Sequence, residues 1–255
     1  MSLTTRESPK GKRVALFVTC MVDALYPQTG LASVAILRKL GVDVYFPMDQ
    51  TCCGQPGFNA GYRQEACTVA SQALRAFKKA DVIVTPSGSC AAMIRHEYPQ
   101  LFADDPVLKP QADRMAANTW ELTEFIVEGL GVSDLDIQLP QPQTFAFHDS
   151  CHGLRLLGLG DAARTLINNV NNASVVDLNE NDVCCGFGGL FAVKMAAVSS
   201  AMLQRKIDNI NACTAATILV GDVSCLAHMN AGLQKQGKPP RVRHIAEVLA
   251  EGIGE

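Results

Sequence analysis

Apolar residues in this chain fall into short unbroken runs that alternate with longer stretches of helical period. Residues 13–19, Arg-Val-Ala-Leu-Phe-Val-Thr, form one such run of strand length without polar alternation, as expected for a strand covered on both faces. It ends on Cys20. Thr29 reads as the N-cap of a helix reaching Leu40, with Leu31, Val34, Ala35 and Leu37 on its apolar face and Gly41 closing it. Residues 42–46 predict a second strand, stopped by Pro47, after which the chain delivers Cys52, Cys53 and Gly54. A helical pattern over 57–79 leads to a third strand at 81–85. The turn Pro86-Ser87-Gly88-Ser89 then presents Cys90 at the start of another helix.

Residues 97–143 are the least regular part. Pro99, Pro106 and Pro110 break the first section, 120–130 reads as a helix, and the Gln/Pro-rich stretch 138–143 reads as a linker. The plan then recurs. A strand at 144–147 leads into His148-Asp149-Ser150-Cys151, and a helix over 161–169 and a strand at 174–178 precede Cys184, Cys185 and Gly186. A helix over 190–210 is followed by a strand at 216–220 running to Cys225, a strand at 241–244 and a closing helix at 245–251. Strands alternating with helices predict an α/β fold with a parallel sheet in each half. The expected division is 1–140 and 141–255, two pseudo-symmetric halves produced by internal duplication.

The cysteines report the duplication independently of the periodicity. Cys20, Cys52, Cys53 and Cys90 in the first half match Cys151, Cys184, Cys185 and Cys225 in the second, at offsets of 131, 132, 132 and 135 residues. Each falls just after a strand, at the carboxyl edge where open α/β sheets place their ligands. Four thiolates per half suit an iron–sulfur cluster or zinc. The vicinal pair does not form the CxxC knuckle of small zinc modules, and a metal-free dithiol couple at Cys52-Cys53 or Cys184-Cys185 is a third chemistry. Gly54 and Gly186 allow the backbone to turn sharply beside the sulfurs. His152, next to Cys151, and Asp222, three residues before Cys225, are placed around the second site; Asp23 and Ser87 stand near the matching places in the first.

Composition narrows the context. The chain has 255 residues, is 48% hydrophobic, carries a net charge of −3 and scatters its basic residues, which argues against a nucleic-acid groove. The polar start, residues 1–13, has no apolar core like that of a signal peptide, and no run is long enough to cross a membrane. A cytoplasmic location is therefore expected, where ten cysteines point to metal or redox chemistry rather than a disulfide framework. Cys67 and Cys213, inside or at the end of helices, have no counterparts and read as structural filler; His96, His228 and His244 read as surface or cap residues. Gly158-Leu159-Gly160 lacks the third glycine of a dinucleotide fingerprint and reads as a helix entry.

The cysteine frame is similar to the CCG (cysteine-rich) domain found in heterodisulfide reductase and in the iron–sulfur component of glycolate oxidase. The closer resemblance, over nearly the whole chain, is to the lactate utilization protein A family. It is carried by Cys20-Met-Val-Asp23, Cys52-Cys-Gly-Gln-Pro56, Pro86-Ser-Gly-Ser-Cys90, His148-Asp-Ser-Cys151-His152, Cys184-Cys-Gly-Phe-Gly-Gly189 and Asp222-Val-Ser-Cys225. The resemblance implies an iron–sulfur electron-transfer component of an L-lactate oxidation system, one part of an oxidoreductase, with B- and C-type lactate utilization proteins as partners. It implies a 4Fe–4S cluster in each half. The wider pattern ends in CxxC, and here Ser87 and Asp222 replace the first cysteine of that pair. Each half thus offers four motif cysteines instead of five, which favours a four-ligand cluster over a five-thiolate one.

Overall fold

The computed structural model describes residues 8–159 and 161–253, so that Met1 to Glu7, Gly160, Gly254 and Glu255 lie outside it. Among the described residues, eight strands form two all-parallel four-stranded sheets. The first holds β1 (Val14–Leu16), β2 (Val44–Tyr45), β3 (Val82–Thr85) and β4 (Thr119–Glu121) in the order β2-β1-β3-β4. The second holds β5 (Gln138–Phe147), β6 (Asn171–Val175), β7 (Thr217–Val220) and β8 (Val242–His244) in the same permutation, β6-β5-β7-β8. Parallel pairing requires crossovers, and helices supply them.

The register repeats as well. Leu16 pairs with Val84 and Phe147 with Leu219, so the halves superpose at the same offsets as their cysteines. β1 and β3 are buried along their whole length, which is why their sequences run apolar without alternation.

Local chemistry moves several boundaries. The helix expected to start at Thr29 starts at Pro27, whose fixed φ suits a first helical position. Thr29 is then buried and donates its hydroxyl to the Glu247 carboxylate in the other half. The helix expected over 57–79 is two, Gln55–Asn59 and Arg63–Ala76, separated by Gly61 at φ +84°. The helix expected over 190–210 is likewise split, into Phe191–Lys194 and Ala196–Ala212. Residues 119–121, assigned in part to a helix, are the edge strand β4. The helix begins after Glu121, whose carboxylate accepts from the Thr123 and Glu124 N–H groups in a capping box.

The stretch 138–143, expected as a linker, is the first part of β5. Gln138 pairs with Asn171 and Gln143 with Ala173, and the register shifts between them where Pro140 and Pro142 cannot donate to a ladder.

The halves share a core. One apolar cluster takes Leu16, Ile36, Val84 and Phe125 from the first half and Phe145, Phe147, Leu166, Leu219 and Leu249 from the second. The closing helix Ile245–Glu251 packs on Pro27–Lys39, and Leu122–Glu124 packs on Ala162–Asn168 by the same pseudo-symmetry. Each sheet keeps a private cluster on its other face, around Phe17, Ile83 and Ile94 in one and Ala146, Ile218 and Met229 in the other. This exchange brings the carboxyl edges of both sheets to one place.

Candidate metal centre

β1 delivers Thr19, which sits at φ +73° although β-branched residues rarely adopt positive φ, and caps the helix Cys20–Leu25. Cys20 is therefore the first residue of that helix. Cys52 and Cys53 follow β2, with Cys53 buried in the cluster around Phe17, and Gly54 turns the chain at φ +84°. Cys90 lies within the helix Gly88–Ala92 after β3, where its N–H donates to the Ser87 hydroxyl. In the second half Cys151 follows β5, Cys184 and Cys185 follow β6, and Cys225 lies in the first turn of Val223–Lys235. Gly186 turns at φ +91° and is followed by Gly188 and Gly189, both at positive φ. A helix starts directly after the first Cys-Cys-Gly, but after the second it waits until Phe191.

The structure gathers all eight predicted cysteines. In the first half Cys20 Sγ lies 3.4 Å from Cys52 Sγ and Cys53 Sγ 3.3 Å from Cys90 Sγ. In the second the matching distances are 3.9 Å for Cys151–Cys184 and 3.3 Å for Cys185–Cys225. The backbone N–H groups of Gly54 and Gly186 each donate to the sulfur two residues earlier, at 3.4 Å in both halves. The first cysteine of each vicinal pair is favoured as a thiolate. Hydrogen bonds from Cys20 and then Cys53 hold Cys52 down to about 3, and Cys151 and then Cys185 do the same to Cys184, at about 2. Their neighbours move the other way: the hydrogen bond to Cys52 and then burial push Cys20 up, and Cys53 rises through its bonds with Cys52 and Cys90. In the second set the hydrogen bond from Cys185 also lowers Cys225, to about 7; thiols that stay protonated in either set release their protons when metal binds.

Both sets line a single crevice of about 760 Å³ including its open mouth, walled by Cys20, Cys53, Cys90, Cys151, Cys185 and Cys225 with their partners. Its two Cys-Cys-Gly loops approach each other. A Cβ added at Gly189 would be 3.6 Å from Pro56, and Lys194 Nζ donates to the Tyr62 hydroxyl at 2.9 Å.

The other sequence candidates separate clearly. His152 Nδ1 lies 3.6 Å from Cys151 Sγ. Asp222 is 1% exposed and caps its helix by accepting from Ser224 N at 3.0 Å. Cys67 and Cys213 stay away from both sets, directed at the carbonyls of Leu101 and Asp177. His244, expected on a surface or as a cap, is a fully buried cap that accepts from Ala246 N. His228 sits beside Phe187 and Ser199. Sequence reasoning passed over three supports. Gln50 holds the end of β1 through Val18 N and the Leu16 carbonyl, fully buried Tyr98 donates to the Cys53 carbonyl at 2.9 Å, and buried Lys206 donates to the Glu180 carbonyl. Only the mismatch of a long polar side chain on an apolar helical face marks Tyr98 and Lys206 in the sequence.

The donor set fits a thiophilic metal. All ten cysteines are free, and the eight in the crevice find hydrogen-bond partners mainly in one another. Sulfurs bound to one tetrahedral ion at about 2.3 Å lie roughly 3.8 Å apart, close to the spacing found. A cluster seating its irons on separate thiolates needs the sulfurs to spread, which the open crevice permits.

A profile for the cysteine-rich domain CCG matches residues 14–95 and 145–230. Over 242 residues the chain is 48% identical to lactate utilization protein A of an Exiguobacterium species, covering 94% of this chain and 98% of that one. It is 46% identical over 237 residues to lactate utilization protein A of Geobacillus kaustophilus, covering 93% and 98%. Among solved structures it is similar to a hypothetical protein from Helicobacter pylori, with a TM-score of 0.65 and 12% identity. The match spans 96% of this chain and 49% of that one, and the likeness is one of fold.

Proposed function

The chain belongs to the lactate utilization protein A family, built on two CCG cysteine-rich domains, and from that premise we propose that it carries electrons through two metal–thiolate sites during the oxidation of lactate to pyruvate. That oxidation releases two electrons and two protons per lactate. The observation that carries the reading is the shared crevice: two equivalent four-cysteine sets face one another across it.

In this reading residues 1–140 and 141–255 each hold one site. Cys20, Cys52, Cys53 and Cys90 bind one metal group and Cys151, Cys184, Cys185 and Cys225 the other. A 4Fe–4S cluster supplies reversible one-electron storage there, tuned by hydrogen bonds to its sulfurs. The Gly54 and Gly186 N–H groups are such donors, with His152 and Asp222 at the edge of the second site. Electrons pass to and from the B- and C-type proteins of the same system. The described residues contain no helix long and apolar enough to cross a membrane, and we place the chain in the cytoplasm, where thiols stay reduced.

Sulfur spacing favours a second reading. Pairs at 3.3–3.9 Å match a single tetrahedral ion, so one zinc per half and a partner-binding role is the rival. Metal and acid-labile sulfide analysis with EPR, on protein purified without oxygen, separates the two. Iron and sulfide near about eight each per chain are expected for two 4Fe–4S sites. Zinc without sulfide establishes the rival, and iron and sulfide absent even after reconstitution overturn the proposal.

A further inference from the structure

The two sites are not lined by the same atoms. Where the first half has Phe17, the second has His148: the Phe17 N–H donates to the Val84 carbonyl and the His148 N–H to the Leu219 carbonyl, the same link at equivalent positions. Phe17 is an apolar wall of the first site. His148 is 2% exposed and stands behind Cys185 and Cys225 of the second. Its Nδ1 is 3.1 Å from the carbonyl oxygen of Asn181. A carbonyl can only accept, so Nδ1 carries a proton, and in the neutral ring Nε2 keeps its lone pair. Nε2 is buried and has no hydrogen-bond partner among the described residues. A ring nitrogen of His148 lies within 4.8 Å of the sulfurs of both Cys185 and Cys225, and with Nδ1 turned to Asn181 it is Nε2 that is left open to them.

We propose that His148 Nε2 is a metal ligand of the second site, making that site a mixed nitrogen–thiolate centre while the first remains all-thiolate. The inference rests on the reading that the cysteine sets hold metal, and does not depend on which metal. Three features support it. An Nδ1–H bonded to a backbone carbonyl is the arrangement that fixes the tautomer and ring plane of ligating histidines. A buried imidazole nitrogen without a partner is costly unless something fills it. Two ligand atoms on one tetrahedral ion, at about 2.0 Å for nitrogen and 2.3 Å for sulfur, are separated by roughly 3.5 Å, which a small ring movement reaches from the present spacing.

The consequence is a difference in potential. Replacing thiolate character by neutral imidazole raises the potential of an iron–sulfur centre. The second site is therefore the better electron acceptor, and within this chain electrons run from the first half to the second.

The test uses the full chain, purified without oxygen and reconstituted with iron and sulfide, labelled with 15N-histidine or unlabelled. Pulsed EPR is expected to show a strongly coupled histidine nitrogen in one of two reduced centres. His148→Phe should remove it and lower that centre's potential without moving the other's. His148→Gln, which keeps the volume and an N–H for Asn181, guards against a folding defect in the first variant. Clusters that assemble with no such coupling, or a coupling that survives both variants, overturn the inference and leave the electron-transfer reading standing. If no cluster forms, that reading fails alone. Titration of the apo-chain with Co2+ then reads the ligand directly, a nitrogen-free spectrum at both sites overturning the inference. A weakening of one of two Co2+ sites by roughly tenfold or more in His148→Gln supports it.

Discussion

Asp222 Oδ2 accepts a hydrogen bond from Ser89 N at 2.8 Å and another from the Ser87 hydroxyl at 3.3 Å. The carboxylate that caps a helix of the second half thus also fastens the equivalent turn of the first. Ser87 and Asp222 occupy matching positions, each the N-cap before Cys90 or Cys225, and they meet where Gly88 N donates to the Gly221 carbonyl at 3.2 Å. The pseudo-symmetry axis therefore runs through polar contacts beside the metal-binding cysteines.

Asp222→Ala removes a buried acceptor from two N–H groups and two hydroxyls. Bonds to a charged group contribute about 1.5–3 kcal/mol each and are only partly replaced by water here. Differential scanning calorimetry should show a loss of about 2–4 kcal/mol, with Asp222→Asn losing less. An unchanged unfolding temperature would show that this bridge does not hold the halves together.

The two Cys-Cys-Gly turns should respond unequally to alanine. A Cβ on Gly186 would be 2.8 Å from the Ser199 carbonyl and 2.9 Å from Met202 Cβ, at φ +91°. On Gly54 the nearest atom is the Ala66 carbonyl at 3.3 Å, at φ +84°. Positive φ costs both about 1–2 kcal/mol, and overpacking adds about 1–3 kcal/mol to the first. Gly186→Ala should unfold at lower denaturant than Gly54→Ala and lose more of its metal; equal midpoints would contradict the packing.

Glu121 gives the stability a pH dependence. It is 1% exposed; Oε2 accepts from Thr123 and Glu124 N–H groups while Oε1 has no partner. Burial raises its pKa to about 7 against those hydrogen bonds. A carboxyl raised on folding contributes stability in full below its unfolded pKa of about 4.3, and that contribution is lost as pH rises through 7. Glu121→Gln does not titrate. Relative to the parent it should gain about 3–4 kcal/mol between pH 4 and pH 8, read from urea unfolding at each pH. A constant difference across that range would place the carboxyl's pKa near its ordinary value.

Cys53 and Cys185 are the buried members of the vicinal pairs, each 2% exposed. Cys53→Ser and Cys185→Ser should each halve the metal per chain, and the double variant should bind none. Metal analysis of the three proteins checks this. Full loss from either single variant would mean that the sites assemble as one unit.

The two four-cysteine sets were legible because spacing survives duplication, and the strands ahead of Cys20, Cys90 and Cys151 announced themselves by unbroken apolar runs. β4 was hidden because Thr119–Glu121 is three residues long and runs straight into a helix capped by its own last residue. The first part of β5 was hidden behind Pro140 and Pro142, which locally read as punctuation yet are tolerated at a register shift. His148 stood out in the sequence only as a neighbour of Cys151.

Local pattern determined the elements, their order and the thiol chemistry of each half, because periodicity and ligand type are properties of a few consecutive residues. Only the tertiary structure decided that the two sets open into one crevice, that Ser87 meets Asp222, and that an imidazole replaces a phenyl ring on one side. Those depend on which apolar faces bury each other. The exchange of closing helices across the shared core places atoms from residues more than a hundred positions apart within hydrogen-bonding distance.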